Sequence, residues 1–121
     1  MRDHTKLQAF QLADKLVLEI YKLTKTFPKE ELFGLVSQMT RAAVSVTSNI
    51  VEGCARHTES EYLRFLDMPY GSARELDYEM SLSFRLGLCS ETDYRQITEA
   101  SDHSCGALAA LIKSYRSERP R

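Results

Sequence analysis

Glycine, proline and cysteine are scarce in this chain of 121 residues, and each shortage excludes a class of protein. Five glycines and three prolines are too few for an all-β domain rich in turns or for a disordered chain. The three cysteines, Cys54, Cys89 and Cys105, are odd in number and contain no CxxC pair. That pattern favours neither a zinc site nor a disulfide framework, so we expect reduced, buried thiols.

Long apolar runs and an excess of one charge are also missing. Sixteen basic and seventeen acidic residues give a net charge of −1, which argues against a general nucleic-acid binder but leaves a local basic patch open. No apolar run approaches the roughly 20 residues of a membrane span, and the first residues do not resemble a signal peptide. No phosphate-binding loop occurs. We therefore expect a cytoplasmic protein with no membrane partner and no cofactor.

Helical periodicity is what the sequence does contain. Apolar residues recur at intervals of three and four in four segments, about 7–25, 32–54, 59–86 and 91–117. A capping box from Thr58 to Glu61 opens the third segment, Gly87 closes it, and Ser90 caps the fourth. Pro69 predicts a kink rather than a break in the third helix. Short joints make successive helices antiparallel neighbours, so the chain is predicted to be one all-α domain, an up-down-up-down antiparallel four-helix bundle.

The apolar residues divide into a predicted core and a surplus. One core is predicted to contain Phe10, Val46, Ile50, Phe65, Leu76, Leu108 and Leu111. The surplus lies beside the core stripe on the second and third helices, where a monomer would leave it in water. We interpret it as the interface of a closed homo-oligomer. Its members are Val44, Val51, Met68, Leu82 and Leu86.

Residues with catalytic or metal-binding chemistry are not arranged for either task. None of the three histidines stands at the ExxH spacing of di-iron bundles, so no metal site is predicted. The carboxylates Glu75, Asp77 and Glu79 do not share one helix face, and we interpret them as ion-pair partners of arginines. Ser45 and Ser48 are neighbours of Asn49 and Glu52 but of no histidine that could act as a base. We expect no catalytic residues and no enzymatic activity. The candidate partners of the carboxylates are Arg41, Arg74 and Arg85.

The second helix carries an unusual stripe of small polar residues. Such residues are weaker helix formers than the Lys, Glu and Gln of ordinary exposed faces. The stripe is either a polar contact between helices or subunits, or a surface for a ligand or nucleic acid, or a solvated face. Its members are Arg41, Ser45, Ser48, Asn49 and Glu52. If nucleic acid binds, the candidate residues are Lys29, Arg41, Arg56 and Arg64, brought together by the oligomer.

The stretch RAAVSVTSNIVEG, residues 41–53, resembles the RAAVSIPSNIAEG signature of a family of four-helix-bundle proteins. These are the proteins encoded by intervening sequences of large-subunit ribosomal RNA genes. The similarity continues in register through residues 16–41, through EYLRFLDMPYGSARELDYEM at 61–80, and through LGLCSETDY at 86–94. Differences occur at Thr47, where the family commonly has proline, at Pro69, and in the joint at 54–57, which has lost a basic residue.

The resemblance implies a cytosolic bundle that assembles into a ring, usually a homopentamer, with no enzymatic activity. It also implies kinship with accessory proteins of diversity-generating retroelements, which bind nucleic acid and a reverse transcriptase. Nucleic acid, or a protein that processes it, is therefore a possible partner beside the protein itself. The sequence supports two interpretations of function: an oligomeric scaffold, or an RNA- or DNA-binding accessory protein.

Overall fold

The computed structural model describes residues 2–117, and within that range the chain is all-α, with no strand. The predicted fold class is confirmed to that extent. Four helical units follow one another, and the third consists of two helices in succession. The helices are α1 (Gln8–Thr24), α2 (Ser37–Cys54), α3 (Glu59–Asp67), α4 (Pro69–Arg85) and α5 (Glu91–Ser117).

The predicted helix ends rest on specific hydrogen bonds. The Glu61 N–H donates to Thr58 Oγ1 at 3.1 Å, which begins α3 with the first half of the capping box. The Asp93 N–H donates to Ser90 Oγ at 3.0 Å and begins α5 in the same way. Gly87, just after α4, has a φ of 75°. Glycine adopts this left-handed conformation without the steric cost that a Cβ adds.

Two helices differ from their predicted extents. The predicted second helix begins at Leu32, but α2 begins at Ser37. Residues Leu32–Val36 form a π-helical turn in which Gly34 leaves helical geometry, with φ −107° and ψ −111°. The predicted third helix is interrupted at Met68, which separates α3 from α4. Met68 itself keeps helical φ and ψ, −59° and −37°, so the interruption lies where the kink at Pro69 was predicted. Pro69 has no N–H for the helical ladder and is accommodated at the first position of α4, where none is needed.

Gly53 lies in the last turn of α2, at a position where a side chain would not fit. The helix continues through Cys54, and Gly53 lies where α2 approaches α3. A Cβ added at Gly53 would lie 2.8 Å from the Cβ of Phe65, far inside normal contact distance. Glycine is therefore required by the close approach of two helices.

The buried apolar residues form two clusters rather than the single predicted core. The first contains Val46, Ile50 and Leu108, with Phe10 and Leu111 partly buried against it. The second contains Leu76 together with Ile20, Met39 and Met80. Phe65 belongs to neither cluster and is half-buried, with the Arg56 guanidinium carbon 4.5 Å from its ring centroid. Around these clusters α2 packs against α1, α3 and α4, while α5 packs against α1 and α4.

The N-terminal residues close the first cluster from outside. The Arg2 guanidinium carbon lies 3.8 Å from the centroid of the Tyr62 ring. The same guanidinium donates to Tyr115 Oη at 2.9 Å and to the Arg56 carbonyl at 3.3 Å. The Arg2 N–H donates to the Cys54 carbonyl at 3.2 Å. We call this region, defined by Arg2, Cys54, Arg56, Tyr62 and Tyr115, the sealed end of the bundle.

Candidate functional site

The polar stripe of α2 divides into an inner and an outer edge. Ser45 and Asn49 are half-buried, whereas Arg41, Ser48 and Glu52 are exposed. Asn49 Nδ2 donates to the Ser45 carbonyl at 2.9 Å, and Ser72 Oγ of α4 donates to Ser45 Oγ at 2.8 Å. The inner edge is thus a polar contact between helices, one of the uses that the sequence left open.

A second contact joins the same two helices nearer the other end of α4. Ser83 Oγ donates to Met39 Sδ at 3.4 Å and to the Glu79 carbonyl at 2.8 Å. Ser72, Glu79 and Ser83 are spaced by seven and four residues, so they share one face of α4. We call this contact region, Met39 and Ser45 of α2 with Ser72, Glu79 and Ser83 of α4, the α2–α4 seam.

A groove of about 360 Å³ opens along the seam. It is lined mainly by polar groups, so that water and charged side chains can enter between α2 and α4. Glu75 lies one helical turn before Glu79 and forms part of this lining, which brings the groove next to the buried carboxyl. The lining residues are Gln38, Arg41, Ala42, Ser45, Ser72 and Glu75.

Glu79 is buried in the seam with an unsatisfied polar atom. The residue is 2% exposed, and its Oε1 has no hydrogen-bond partner among the residues that the structure describes. Burial, and next the negative charge of Glu75, raise the pKa of Glu79 to about 7. A buried carboxyl that lacks a cation is stable in its neutral form, because burial penalises the charged form.

The ion pairs expected for the acidic cluster are absent from residues 2–117. Arg74 and Arg85 lie five and six residues from Glu79, a spacing that places them on other faces of α4. Arg41 is exposed at the mouth of the groove. The ion pairs within the described range join Arg56 to Glu52, Arg95 to Glu91 and Arg116 to Asp67.

The five residues predicted for an oligomer interface differ in exposure. Val44, Met68 and Leu86 are 36%, 44% and 57% exposed. Val51 is half-buried, and Leu82 is half-buried and packs against the second cluster. Leu82 therefore contributes to the fold of the single chain.

A further apolar surface lies at the joint between α1 and α2, and it was not predicted. Phe33 is 92% exposed and Leu32 53%. Beside them is a groove of about 370 Å³, lined by Tyr21, Phe27, Leu32 and Val36 among others. We call this region, Tyr21, Phe27, Leu32, Phe33 and Val36, the open end of the bundle. The pair Leu32-Phe33 ahead of Gly34 was the available signal, but the apolar pattern assigned it to the second helix.

The four basic residues considered for nucleic-acid binding do not meet on one chain. Arg56 and Arg64 both lie over the ring of Phe65, with guanidinium carbons 4.5 and 5.9 Å from its centroid. Lys29 precedes α2, and Arg56 follows it. The 18 residues of α2 span roughly 27 Å between them. Arg41 lies in the first turns of α2, so a patch containing all four needs more than one subunit.

Other chemistry is sparse in the described part of the chain. Residues 2–117 contain no group of three or more His, Cys, Asp or Glu side chains placed to hold a metal ion. None of the helices in that range is long and apolar enough to cross a membrane. Burial raises the pKa of all three thiols, which lowers the fraction of nucleophilic thiolate.

The fold and its surfaces define a class: an all-α bundle with a polar seam and an apolar open end. The family of 23S rRNA-intervening sequence proteins has a model that matches residues 5–110, and the chain belongs to this family. The fold is similar to the crystal structure of a protein with unknown function from the S23 ribosomal protein family of Bacteroides thetaiotaomicron. That comparison has a TM-score of 0.80 and 21% identity, covering 87% of this chain and 98% of the other. No curated protein matches the sequence.

Proposed function

We propose that this protein is a non-catalytic scaffold that assembles with itself into a closed ring in the cytoplasm. The observation that carries the proposal is the open end, where Phe33 is 92% exposed beside an apolar groove. Clustered exposed apolar residues of this kind mark protein contact sites. The raised pKa values of the three thiols, of which Cys54 is buried and Cys89 and Cys105 are half-buried, and of the unpaired seam carboxyl suit a structural protein better than a nucleophilic enzyme.

The proposed subunit is an up-down-up-down antiparallel bundle. Two contacts between α2 and α4 support opposite helix directions, because Ser45 meets Ser72 while Met39 meets Ser83. Residue numbers rise along one helix as they fall along the other. In this arrangement the open end and the sealed end lie at opposite ends of α2.

The proposed ring forms through a contact between two different surfaces. One surface is the open end together with Val44 on α2. The other is the set of exposed apolar residues on and beside α4, Met68, Tyr78 and Leu86, which are 44%, 61% and 57% exposed. A contact between unlike surfaces must close into a ring or continue as a filament. The family resemblance favours five subunits.

Mixing two variants tests this proposal. Phe33→Asp with Val44→Asp disables the first surface, and Tyr78→Asp with Leu86→Asp disables the second. Light scattering should give a mass several times 13.8 kDa for the natural protein and 13.8 kDa for each variant alone. An equimolar mixture of the variants should form a dimer, since one contact remains possible between them. A natural protein of 13.8 kDa at high concentration would refute the ring, and a mixture that stays monomeric would refute the two-surface contact.

The second candidate function is binding of RNA or DNA through a basic patch assembled on the ring. Arg56 and Arg64 near Phe65 favour it, because they place two cations beside one ring. We expect such binding to be weak and strongly dependent on salt, since it would rest on phosphate contacts. The absorbance ratio at 260 and 280 nm after a high-salt wash tests for retained nucleic acid. Retention that survives the wash, or strong base preference, would contradict that expectation.

A further inference from the structure

The α2–α4 seam contains a titratable pair that no step of the proposed scaffold role uses. Glu79 is buried, Glu75 stands one turn earlier on the groove, and no cation pairs with either among the described residues. We propose that Glu75 and Glu79 form a proton-dependent switch that holds α2 against α4 when protonated and loosens the seam when ionised.

The geometry places the proton of the switch on the Glu79 carboxyl, next to Glu75. The Glu79 carboxyl lies on the stripe between Ser72 and Ser83, and these serines make the two hydrogen-bonded contacts with α2. A neutral carboxyl has an O–H that can donate to the neighbouring Glu75 carboxylate. Loss of that proton to water leaves two carboxylates on adjacent turns, one of them buried. Like charges at this spacing repel each other, and the buried Glu79 carboxylate also lacks the hydration that would stabilise its charge.

The groove gives water a route to the ionised Glu79 carboxylate. Water can reach the seam through the opening lined by Gln38, Ser45 and Glu75. Separating α2 from α4 there hydrates the ionised Glu79 at the expense of the Ser45–Ser72 and Met39–Ser83 contacts. Water can satisfy the hydroxyl groups of Ser45 and Ser72 equally well, so the groove side of the seam is easier to open than the side where Met39 packs in the second cluster.

Few other charges face Glu79. From α2 the charged neighbour is Arg41, which is exposed at the groove mouth and free to approach an ionised Glu75. On the α5 side the ionisable groups are Arg74, Asp77, Asp102 and Cys105, which interact with one another. Asp77 points away from Glu79, because two residues correspond to about 200° around a helix. At its other end α4 adjoins α3, where Asp67 pairs with Arg116. The switch therefore depends mainly on the two glutamates, with Arg41 as a moderating cation.

Nuclear magnetic resonance on the full chain can follow the proton directly. The side-chain carboxyl carbon of Glu79 is assigned by its loss in Glu79→Gln and titrated in the natural protein. We expect a midpoint near 7. In Glu75→Gln the midpoint should fall, because the neighbouring charge is gone, yet remain above the ordinary value of 4.5 because burial persists. A midpoint at the ordinary value in the natural protein would overturn the switch.

Amide hydrogen exchange tests whether the proton moves the seam. After correction for intrinsic exchange rates, protection of residues 39–45 and 79–83 should fall about tenfold between about pH 6 and pH 8.5. The fall should be absent in Glu79→Gln, which keeps the size of the side chain but cannot ionise. An equal fall in the variant, or no fall in the natural protein, would mean that Glu79 is a buried acid with no mechanical consequence. Neither readout depends on whether the protein forms a ring.

Discussion

The two ends of the bundle bury their apolar residues in different ways. At the sealed end, the first cluster is closed by Arg2, which contacts Tyr62, Tyr115 and two backbone carbonyls within the same chain. At the open end, the second cluster adjoins Phe33 in solvent and a groove between α1 and α2. The chain therefore covers the apolar residues of the sealed end with its own side chains, whereas apolar residues at the open end remain exposed to solvent.

If the protein assembles as proposed, the difference predicts which residues govern stability and which govern association. Side chains at the sealed end have most of their contacts inside one subunit, so changes there should act on folding. The open end exposes apolar area that contributes little to the stability of a single chain, so changes there should act on association. The Glu79 carboxyl of the seam lies beside the second cluster, so the stability of that half of the bundle should depend on pH.

The largest expected effect is the loss of a buried side chain in the first cluster. Ile50→Ala removes atoms that are 0% exposed and should lower the free energy of unfolding by about 2–5 kcal/mol through lost burial and the cavity left behind. Leu108→Ala should behave similarly. Leu18→Ala, at a position 66% exposed, is the matched control and should change stability by less than about 0.5 kcal/mol. Chemical denaturation measures all three, and losses below about 1 kcal/mol at both buried sites would show that the first cluster is misassigned.

The next effect concerns the close approach of α2 and α3 at the sealed end. Gly53→Ala places a Cβ about 2.8 Å from the Phe65 Cβ, so the helices must separate, at a cost of about 2–3 kcal/mol. Gly106→Ala is the control, because its added methyl meets nothing within 4 Å. In that helix interior alanine should stabilise by about 0.5–1 kcal/mol. Opposite signs in thermal or chemical unfolding are expected, and a neutral Gly53→Ala would contradict the tight contact.

The smallest expected effect is a pH dependence of the free energy of unfolding, which arises from Glu79 in the half of the bundle that contains the second cluster. Folding raises the pKa of Glu79 from 4.5 to about 7, so the folded chain holds a proton that the unfolded chain releases in this interval. The contribution of Glu79 to the free energy of unfolding is therefore fully present below about pH 4.5 and declines as the pH rises toward 7. Relative to Glu79→Gln, the natural protein should lose about 2 kcal/mol across that window, less than the full shift implies because the groove admits water.

Denaturation of both proteins at several pH values measures that difference. Asp77, whose pKa is also raised mainly by burial, is present in both and cancels in the comparison. Ile50→Ala provides a further reference, because its cost should not vary with pH. A constant gap between the natural protein and Glu79→Gln from acid to neutral pH would show that Glu79 has an ordinary pKa.

Local signals in the sequence were sufficient to predict the helix ends marked by Thr58, Gly87 and Ser90. Thr58, Ser90 and Gly87 act through backbone groups one turn away or through their own φ, so neighbours in sequence decide their role. The side-chain pattern also identified Val46, Ile50, Leu76 and Leu108 as buried, since helical periodicity alone places them on one face. Pro69 marked where the third helix is interrupted. The late start of α2 was missed, because the apolar pattern continues through Leu32–Val36 although Gly34 leaves helical geometry there.

The candidate sites were less predictable. The stripe on α2 was visible as a pattern, but its use by Ser45 depends on Ser72, 27 residues away. The cluster of Glu75, Asp77 and Glu79 was expected to pair with arginines, and nothing in its spacing reveals that Glu79 faces α2. Phe33 fell within the predicted second helix, but in the structure it lies before the start of α2 and is 92% exposed.

By itself, the sequence determined the class of fold, the caps, several of the buried positions and the family, because these follow from periodicity, local hydrogen bonding and recurring motifs. The tertiary structure decided which helix faces meet, and so it alone separated the sealed end from the open end. It also decided the chemistry of Glu79. A carboxyl changes its pKa according to the solvent it loses and the charges it meets, and both are set by residues distant in sequence.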